Sequence, residues 1–358
     1  MRLGPVRVSG MGQLELIGAP EPARTDVPAT VAARWQPLDA RARGTEFFAL
    51  PVRAVLNTPA STGMGFWSLN PYVGCEFGCA YCYARDTHRY VVERAGPAGA
   101  TELPAWLDFE RRILVKTEAP AVLARTLDPA RLDGCSIVIG TATDPYQPAE
   151  RRFQLTRRLL ETLLAWRGLS IGLITKSPLV VRDVDLLRAL AERHEVSVNI
   201  SLATVDARLA RRLEPRSPVP RARLRALRRL TEAGIHAGLL AAPILPCLTD
   251  GRAALSALMA AAKEAGARYA VGMALRLGPA ARRRFLPFLA EQFPHLADRY
   301  ERHYARRQNA GWSYQAALMS RLVDLQRRHG FPVTDGMRRE RQLKGVAPRG
   351  AGAQMDLL

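Results

Sequence analysis

The chain has 358 residues, 48% hydrophobic and 24% charged, so it carries ample apolar material for a core and is not a disordered polymer. Its formal charge is +19, and its 52 cationic side chains include only four Lys (Lys116, Lys176, Lys263, Lys344). No window reaches the roughly 18 apolar residues of a membrane span, and the N-terminus has no signal-peptide core, so a cytoplasmic location is expected.

In chain order, residues 1–60 are rich in Pro, Gly and Arg and read as an irregular extension with a short strand near Phe47–Val55. Residues 95–106 read as a loop. The middle of the chain alternates strands with helices. The apolar runs Phe66–Pro71, Ser136–Gly140, Leu169–Thr175, Val196–Leu202, His236–Pro243 and Ala267–Leu275 predict six strands. Between them, helical spacing is predicted over Pro148–Trp166, Val181–Arg193, Asp206–Arg212, Pro220–Gly234 and Gly251–Gly266. Such alternation makes parallel βαβ units, and six of them make a barrel or partial barrel. Helices are predicted at about 279–291, 296–308 and 313–329. The aromatic residues Phe285, Phe288, Phe293, Tyr300, Tyr304, Trp312 and Tyr314 have helix-like spacings expected of core.

Three of the five cysteines fall within eight residues, Cys75-Glu-Phe-Gly-Cys79-Ala-Tyr-Cys82. An odd cysteine count in a reducing compartment argues against a disulfide framework. Three thiolates on one loop can hold three irons of a [4Fe–4S] cluster and leave the fourth iron open for substrate. Gly74 and Gly78 let the loop wrap tightly. The loop follows a predicted strand, where α/β barrels place their chemistry. The competing reading is a structural zinc site, which needs a fourth ligand; His88 is the nearby candidate, at an unusual spacing.

The C-x3-C-x2-C spacing with Tyr81 before the last Cys resembles the signature of radical S-adenosylmethionine enzymes. The resemblance covers roughly residues 60–275 and implies an α/β partial (β/α)6 TIM-type barrel. It implies that Cys75, Cys79 and Cys82 bind a [4Fe–4S] cluster whose open iron chelates S-adenosyl-L-methionine. Reductive C–S cleavage then yields a 5′-deoxyadenosyl radical that abstracts hydrogen from a substrate. A reductant such as flavodoxin or ferredoxin is implied as partner. A narrower resemblance is to the spore photoproduct lyase-like ("DNA repair photolyase") group. It is carried by Asn70–Arg85 (NPYVGCEFGCAYCYAR), Gly140–Glu150 (GTATDPYQPAE), Ile174–Ser177 (ITKS), Arg182–Leu187 (RDVDLL), Leu213–Leu224 (LEPRSPVPRARL) and Ala241–Asp250 (AAPILPCLTD). One departure matters. The lyases place a hydrogen-donating Cys at the end of the second barrel strand, where this chain has Thr141. A hydroxyl is a far poorer hydrogen-atom donor than a thiol.

The remaining candidates follow from position. Tyr81 is assigned to the cofactor, and Tyr83 to the lyases' hydrogen relay. Thr141, Thr143 and Asp144 end a strand at the expected barrel mouth and are assigned to the cofactor, although Asp144-Pro145 could simply start a turn. Lys176, rare in an Arg-rich chain, suits a cofactor carboxylate or a solvated loop. Asn199 and Ser201 share one strand face and bind cofactor if that face is the lumen. Cys247, in a loop at the barrel top, is a candidate hydrogen donor. Cys135 begins its strand and is expected at the barrel bottom. Glu214 and Arg216 read as a salt-linked turn. Asp206–Arg229 holds nine Arg and two acids, which suits nucleic-acid phosphates or a solvated helix face. The expected organisation is an N-terminal extension (1–59), a partial barrel (60–275), a C-terminal helical region (276–335) and a tail (336–358). Nucleic acid is the expected substrate. The alternatives are a peptide or small metabolite, or a non-catalytic, metal-stabilised nucleic-acid-binding protein.

Overall fold

The computed structural model describes residues 36–40, 44–95, 105–132 and 134–333. The expectations for residues 1–35, for 96–104 and for the tail from 336 onward lie outside the described residues. The first described elements are β1 (Gln36–Ala40), β2 (Glu46–Ala49), β3 (Leu56–Asn57), α1 (Pro59–Thr62), β4 (Trp67–Leu69) and β5 (Tyr72–Val73). Next come α2 (Ala84–Ala95), α3 (Ala105–Arg111), β6 (Arg112–Val115) and α4 (Ala119–Thr126). The alternating stretch holds β7 (Ile137–Ile139), α5 (Glu150–Phe153), α6 (Leu155–Leu163), β8 (Ser170–Thr175), α7 (Val184–Ala191) and β9 (Glu195–Ser201). It continues with α8 (Ala207–Leu213), α9 (Pro220–Glu232), β10 (Ala237–Ile244), α10 (Arg252–Glu264) and β11 (Ala270–Ala274). The last helices are α11 (Pro279–Gln292), α12 (Ala297–Tyr304) and α13 (Trp312–Arg328).

Six parallel strands in the order β4-β7-β8-β9-β10-β11 form the barrel sheet, and β3 pairs antiparallel with β4 at its edge. This is the expected partial (β/α)6 barrel. Strand alternation explains its two faces. Leu69, Ile137, Ile139, Ile171, Leu173, Val196, Val198, Ile200, Leu239 and Ala241 pack into the main core with the surrounding helices. The intervening positions, among them Ser68, Gly172, Ser197, Asn199 and Ser201, belong to the opposite, lumen face. Asn199 and Ser201 therefore lie on the lumen face.

The helices follow their sequence signals. In α6 Leu155, Leu159, Leu160 and Leu163 form one buried stripe. The single helix expected over Pro148–Trp166 is broken into α5 and α6 because Gln154 adopts φ 49°, outside the helical range. Asp206 caps α8 by accepting the backbone N–H of Arg208 at 2.8 Å and of Leu209 at 3.1 Å. Pro220 opens α9, where its missing N–H costs nothing. The helix expected from Val181 starts as a 3-10 turn over Pro178–Asp183 before α7.

The region read as irregular contains a feature absent from the sequence reading. A second sheet of order β1-β2-β6-β5 draws residues 36–40, 46–49 and 112–115 against Tyr72 and Val73. The strand near Phe47–Val55 is realised as β2, followed later by β3. The pairing is non-local, so no window of sequence displays it. This sheet fixes the segment from which the cysteine loop departs. At the mouth, α11 and α12 bring Phe285, Phe288, Phe293, Tyr300 and Tyr304 into one buried cluster with Phe77, Cys79 and Tyr81. Those aromatics are core, as their spacing indicates; Trp312 is the exception at 64% exposed.

Candidate active site

The cysteine loop runs from the end of β5 to the start of α2, beside the carboxyl ends of β4, β7, β8 and β9. Gly74 and Gly78 have φ 88° and 61°, where L side chains are strained. A Cβ at Gly74 would lie 2.9 Å from the Phe109 carbonyl, and one at Gly78 would strike the Arg216 guanidinium and the Glu110 carboxylate. The loop is held from several directions. Cys75 donates its N–H to the Phe109 carbonyl at 3.0 Å, and Ala80 donates to Leu213 at 3.0 Å. Arg85 donates to the Cys79 carbonyl at 3.0 Å and pairs with Glu110 at 2.6 Å.

The TATD segment after β7 serves as the loop's scaffold. Thr143 Oγ1 donates to the Gly74 carbonyl at 2.6 Å, and Gln147 Nε2 reaches both at 2.9 and 3.2 Å. Gln147 in turn accepts the Glu76 N–H at 2.9 Å, while Glu76 accepts the Ala149 N–H at 2.7 Å. Asp144 clamps the end of β8: it accepts from Thr175 Oγ1 and the Lys176 N–H, each at 2.7 Å, and from the Tyr146 N–H at 2.9 Å. Thr141 Oγ1 lies 2.5 Å from Ser68 Oγ and accepts from Asn70 Nδ2 at 3.1 Å. Asn70 also accepts the Ala142 N–H at 2.9 Å. Tyr83, although 44% exposed, donates its hydroxyl to the Thr141 carbonyl.

A charged cluster lies on the other side of the loop. Tyr81 donates to Glu214, which pairs with Arg223; both members of that pair are almost fully buried. Burial pushes the Glu214 carboxyl up, but Arg223 and Lys176 outweigh it and hold it below its ordinary value. Burial by itself would lower the Lys176 ammonium, but Cys79 and Glu214 hold it above its usual range. That ammonium stands 5.8 Å from the centre of the Tyr81 ring. Glu214 and Arg216 do not form the expected salt-linked turn. They diverge, Glu214 to the almost fully buried Arg223 and Arg216 to Glu110.

The donor set fits an iron–sulfur cluster. Cys75, Cys79 and Cys82 are free thiols in one apolar cluster or packed against it. Burial, reinforced by Asp144 and the neighbouring thiols, pushes Cys75 up. Burial pushes Cys79 up to about 12, with Lys176 working against it. Three thiolates crowded in a low-dielectric site need positive charge to exist, which the irons of a cluster would supply. Among the described residues no three His, Cys, Asp or Glu side chains converge as donors to one metal ion. Thiolates that serve separate irons do not meet that single-point arrangement. His88, the zinc reading's fourth ligand, is buried edge-on against Phe109 with ring centres 5.5 Å apart.

The other candidates disperse. Asn199 Nδ2 donates to the Leu173 carbonyl at 3.2 Å and its Oδ1 accepts from Tyr269 at 3.0 Å. Ser201 donates to the Ala242 carbonyl at 3.2 Å. Cys247 is exposed, in the loop after β10, with φ 60° and its N–H bonded to Asp250 at 2.8 Å. Cys135 precedes β7 at the barrel's amino end. The sequence reading missed Ser68, Asn70, Gln147, Ser217 and Arg223. All but Ser68 lie inside the motifs quoted above, so the signal was present without a way to tell contact from spacing.

The comparisons agree with this geometry. Residues 69–255 match the model of the Radical SAM superfamily. The uncharacterized protein Rv2578c of Mycobacterium tuberculosis is 34% identical over 284 residues, covering 79% of this chain and 80% of its own. The uncharacterized protein MJ0683 of Methanocaldococcus jannaschii is 31% identical over 182 residues, covering 51% and 61%. In fold the chain is similar to spore photoproduct lyase complexed with dinucleoside spore photoproduct, at TM-score 0.54, 17% identity and 78% of each chain. A variant of that lyase aligns at TM-score 0.56, 15% identity and 79% of each chain. This chain belongs to the radical SAM superfamily, whose members are enzymes. No helix among the described residues is long and apolar enough to cross a membrane.

Proposed function

We propose that Cys75, Cys79 and Cys82 each ligate one iron of a [4Fe–4S] cluster, and that the chain uses it with S-adenosylmethionine to modify a nucleic acid. The observation that carries this reading is the trio of thiols, Cys75 and Cys79 buried and Cys82 half-buried, gathered on one Gly-shaped loop at the carboxyl ends of the parallel strands. When bound, the cluster and S-adenosylmethionine supply a carbon-centred radical able to take a hydrogen atom from substrate.

The chain's own residues hold and shape that site. Lys176, kept charged by Cys79 and Glu214, offers a carboxylate of the cofactor its counter-charge. Tyr81, fixed by Glu214, walls the loop. The lumen hydroxyls Ser68 and Thr141 with Asn70 present a polar floor. Thr143 and Asp144 act by positioning the loop and the end of β8. Asn199 and Ser201 line the lumen but already spend polar atoms on the barrel. Tyr83 and Cys247 are the residues left for hydrogen transfer, because the Thr141 hydroxyl is a poor hydrogen-atom donor and is bonded to its neighbours. For the substrate, eight of the nine Arg between Asp206 and Arg229 are exposed, and the run flanks the Glu214–Ser217 side of the mouth. That suits a phosphate backbone. The structurally similar lyase is complexed with a dinucleoside photoproduct, a ligand built of nucleosides. A flavodoxin or ferredoxin would deliver the electron.

The test is anaerobic reconstitution with iron and sulfide, followed by dithionite and S-adenosylmethionine, with 5′-deoxyadenosine read by chromatography. The wild-type chain should bind about four irons and four sulfides and form the nucleoside. Cys79→Ala should lose both. A chain that binds one zinc and no cluster would sink the reading. DNA and RNA oligonucleotides, a peptide pool and a metabolite extract, added in turn, should raise nucleoside yield with nucleic acid only.

A further inference from the structure

The three cysteines leave unanswered what sets the electron affinity of the cluster they would hold. Ser217 bears on this. It lies in the turn after α8, 4% exposed, with its Oγ 3.6 Å from Cys79 Sγ. Among the described residues this is the sole hydrogen bond its side chain makes. Between two neutral groups either atom could donate. Once the sulfur is an iron-bound thiolate it has no proton, so the hydroxyl must be the donor.

The placement is built. The Ser217 N–H donates to the Glu214 carbonyl at 3.1 Å. The next residue, Pro218, gives its carbonyl to Arg223 Nε at 2.8 Å. Arg223 is itself buried and paired with Glu214, so the turn is closed on both sides of the serine. The cysteine loop reaches the same turn from its own side. Ala80 donates to Leu213, and Gly78 lacks the Cβ that would strike Arg216. The glycine permits the close approach, and the approach brings Ser217 to the sulfur.

We infer that Ser217 is a positioning residue that tunes the cluster: its hydroxyl donates to the Cys79 thiolate and raises the cluster's reduction potential. This rests on the cluster reading above. A hydrogen bond to a ligand sulfur stabilises the more negatively charged, reduced cluster more than the oxidised one. Neither Cys75 nor Cys82 has a side-chain hydroxyl donor of this kind among the described residues. The tuning is therefore directed at one corner of the cluster.

The experiment is an anaerobic redox titration of the reconstituted full-length chain without S-adenosylmethionine, followed by the electron paramagnetic resonance signal of the reduced cluster. Ser217→Ala should bind the same iron and sulfide as wild type but be harder to reduce. The reduced-to-oxidised ratio at fixed potential should fall about tenfold, which is about 59 mV for a one-electron couple. Ser217→Thr keeps the hydroxyl and should stay near the wild-type potential. An unchanged potential in Ser217→Ala overturns the inference while leaving the cluster reading intact. So does an equal fall in both variants, which would trace the effect to packing rather than to the hydroxyl. Absence of a cluster in the wild-type chain overturns both together.

Discussion

The two walls of the barrel mouth are built differently. On the wall formed by the ends of β4, β7, β8 and β9, nearly every polar group answers another. Thr143, Gln147 and Glu76 pin the cysteine loop, Asp144 pins β8, and Glu214 with Arg223 props Tyr81. On the wall after β10, Cys247 is exposed on a strained backbone, and Tyr300 and Tyr314 bond to the loop around it, to the Pro246 carbonyl at 2.6 Å and to Asp250 at 3.1 Å. The difference teaches where rigidity is needed. A cluster demands fixed thiolates, and a buried polar network fixes them only when every member is satisfied.

The sharpest way to break this contrast is to unbalance the first wall. Glu214→Gln leaves the Arg223 guanidinium buried without its counter-charge. It should cost about 3–5 kcal/mol in a urea titration, and Tyr81 should lose its anchor. A loss no larger than that of an exposed pair would mean the wall is not rigid by electrostatics.

A second test uses pH. His88 lies on α2 immediately after the cysteine loop, and burial lowers it from 6.5 to about 4. The folded chain therefore binds fewer protons than the unfolded chain between those values. The stability tied to its neutral form is full above about pH 6.5 and is lost as pH falls towards 4, by about 3 kcal/mol. His88→Leu should flatten that part of the wild-type stability curve. An identical acid slope in the variant would assign the loss to other groups.

Lys176 probes the mouth itself. Lys176→Met should weaken S-adenosylmethionine binding to the reconstituted chain about tenfold, read by equilibrium dialysis, while iron content stays unchanged. Unchanged affinity would place its charge in the service of the loop alone.

The smallest effect belongs to the second wall. Cys247 adopts φ 60°, which disfavours a side chain. Cys247→Gly should gain about 1 kcal/mol of stability without altering the cluster. If the variant also leaves 5′-deoxyadenosine formation and product identity untouched, Cys247 has no part in hydrogen transfer.

The proposed cluster ligands were legible because their chemistry is local: three Cys and two Gly lie within nine residues, and the reading needs no tertiary context. The six parallel strands were legible for the same kind of reason. Each strand is a short apolar run, and helical spacing recurs between them. Even the break at Gln154 leaves both halves of its helix in place. The sequence also marked Thr143, Asp144 and Lys176 as strand-end residues, because strand ends are read from where apolar runs stop.

What those residues do was decided only by the fold. Thr143 and Asp144 spend their oxygens on Gly74, Thr175 and Lys176, which lie one or more strands away. Glu214 turns to Arg223 and Tyr81 rather than to Arg216, and Ser217 meets a sulfur 138 positions earlier in the chain. The second sheet joins residues 46–49 to 112–115 across more than sixty positions of sequence. Composition and periodicity describe a residue's own neighbourhood along the chain. Hydrogen bonds and ion pairs in a folded core are settled by which distant groups burial brings together, and by the cost of leaving any of them unpaired.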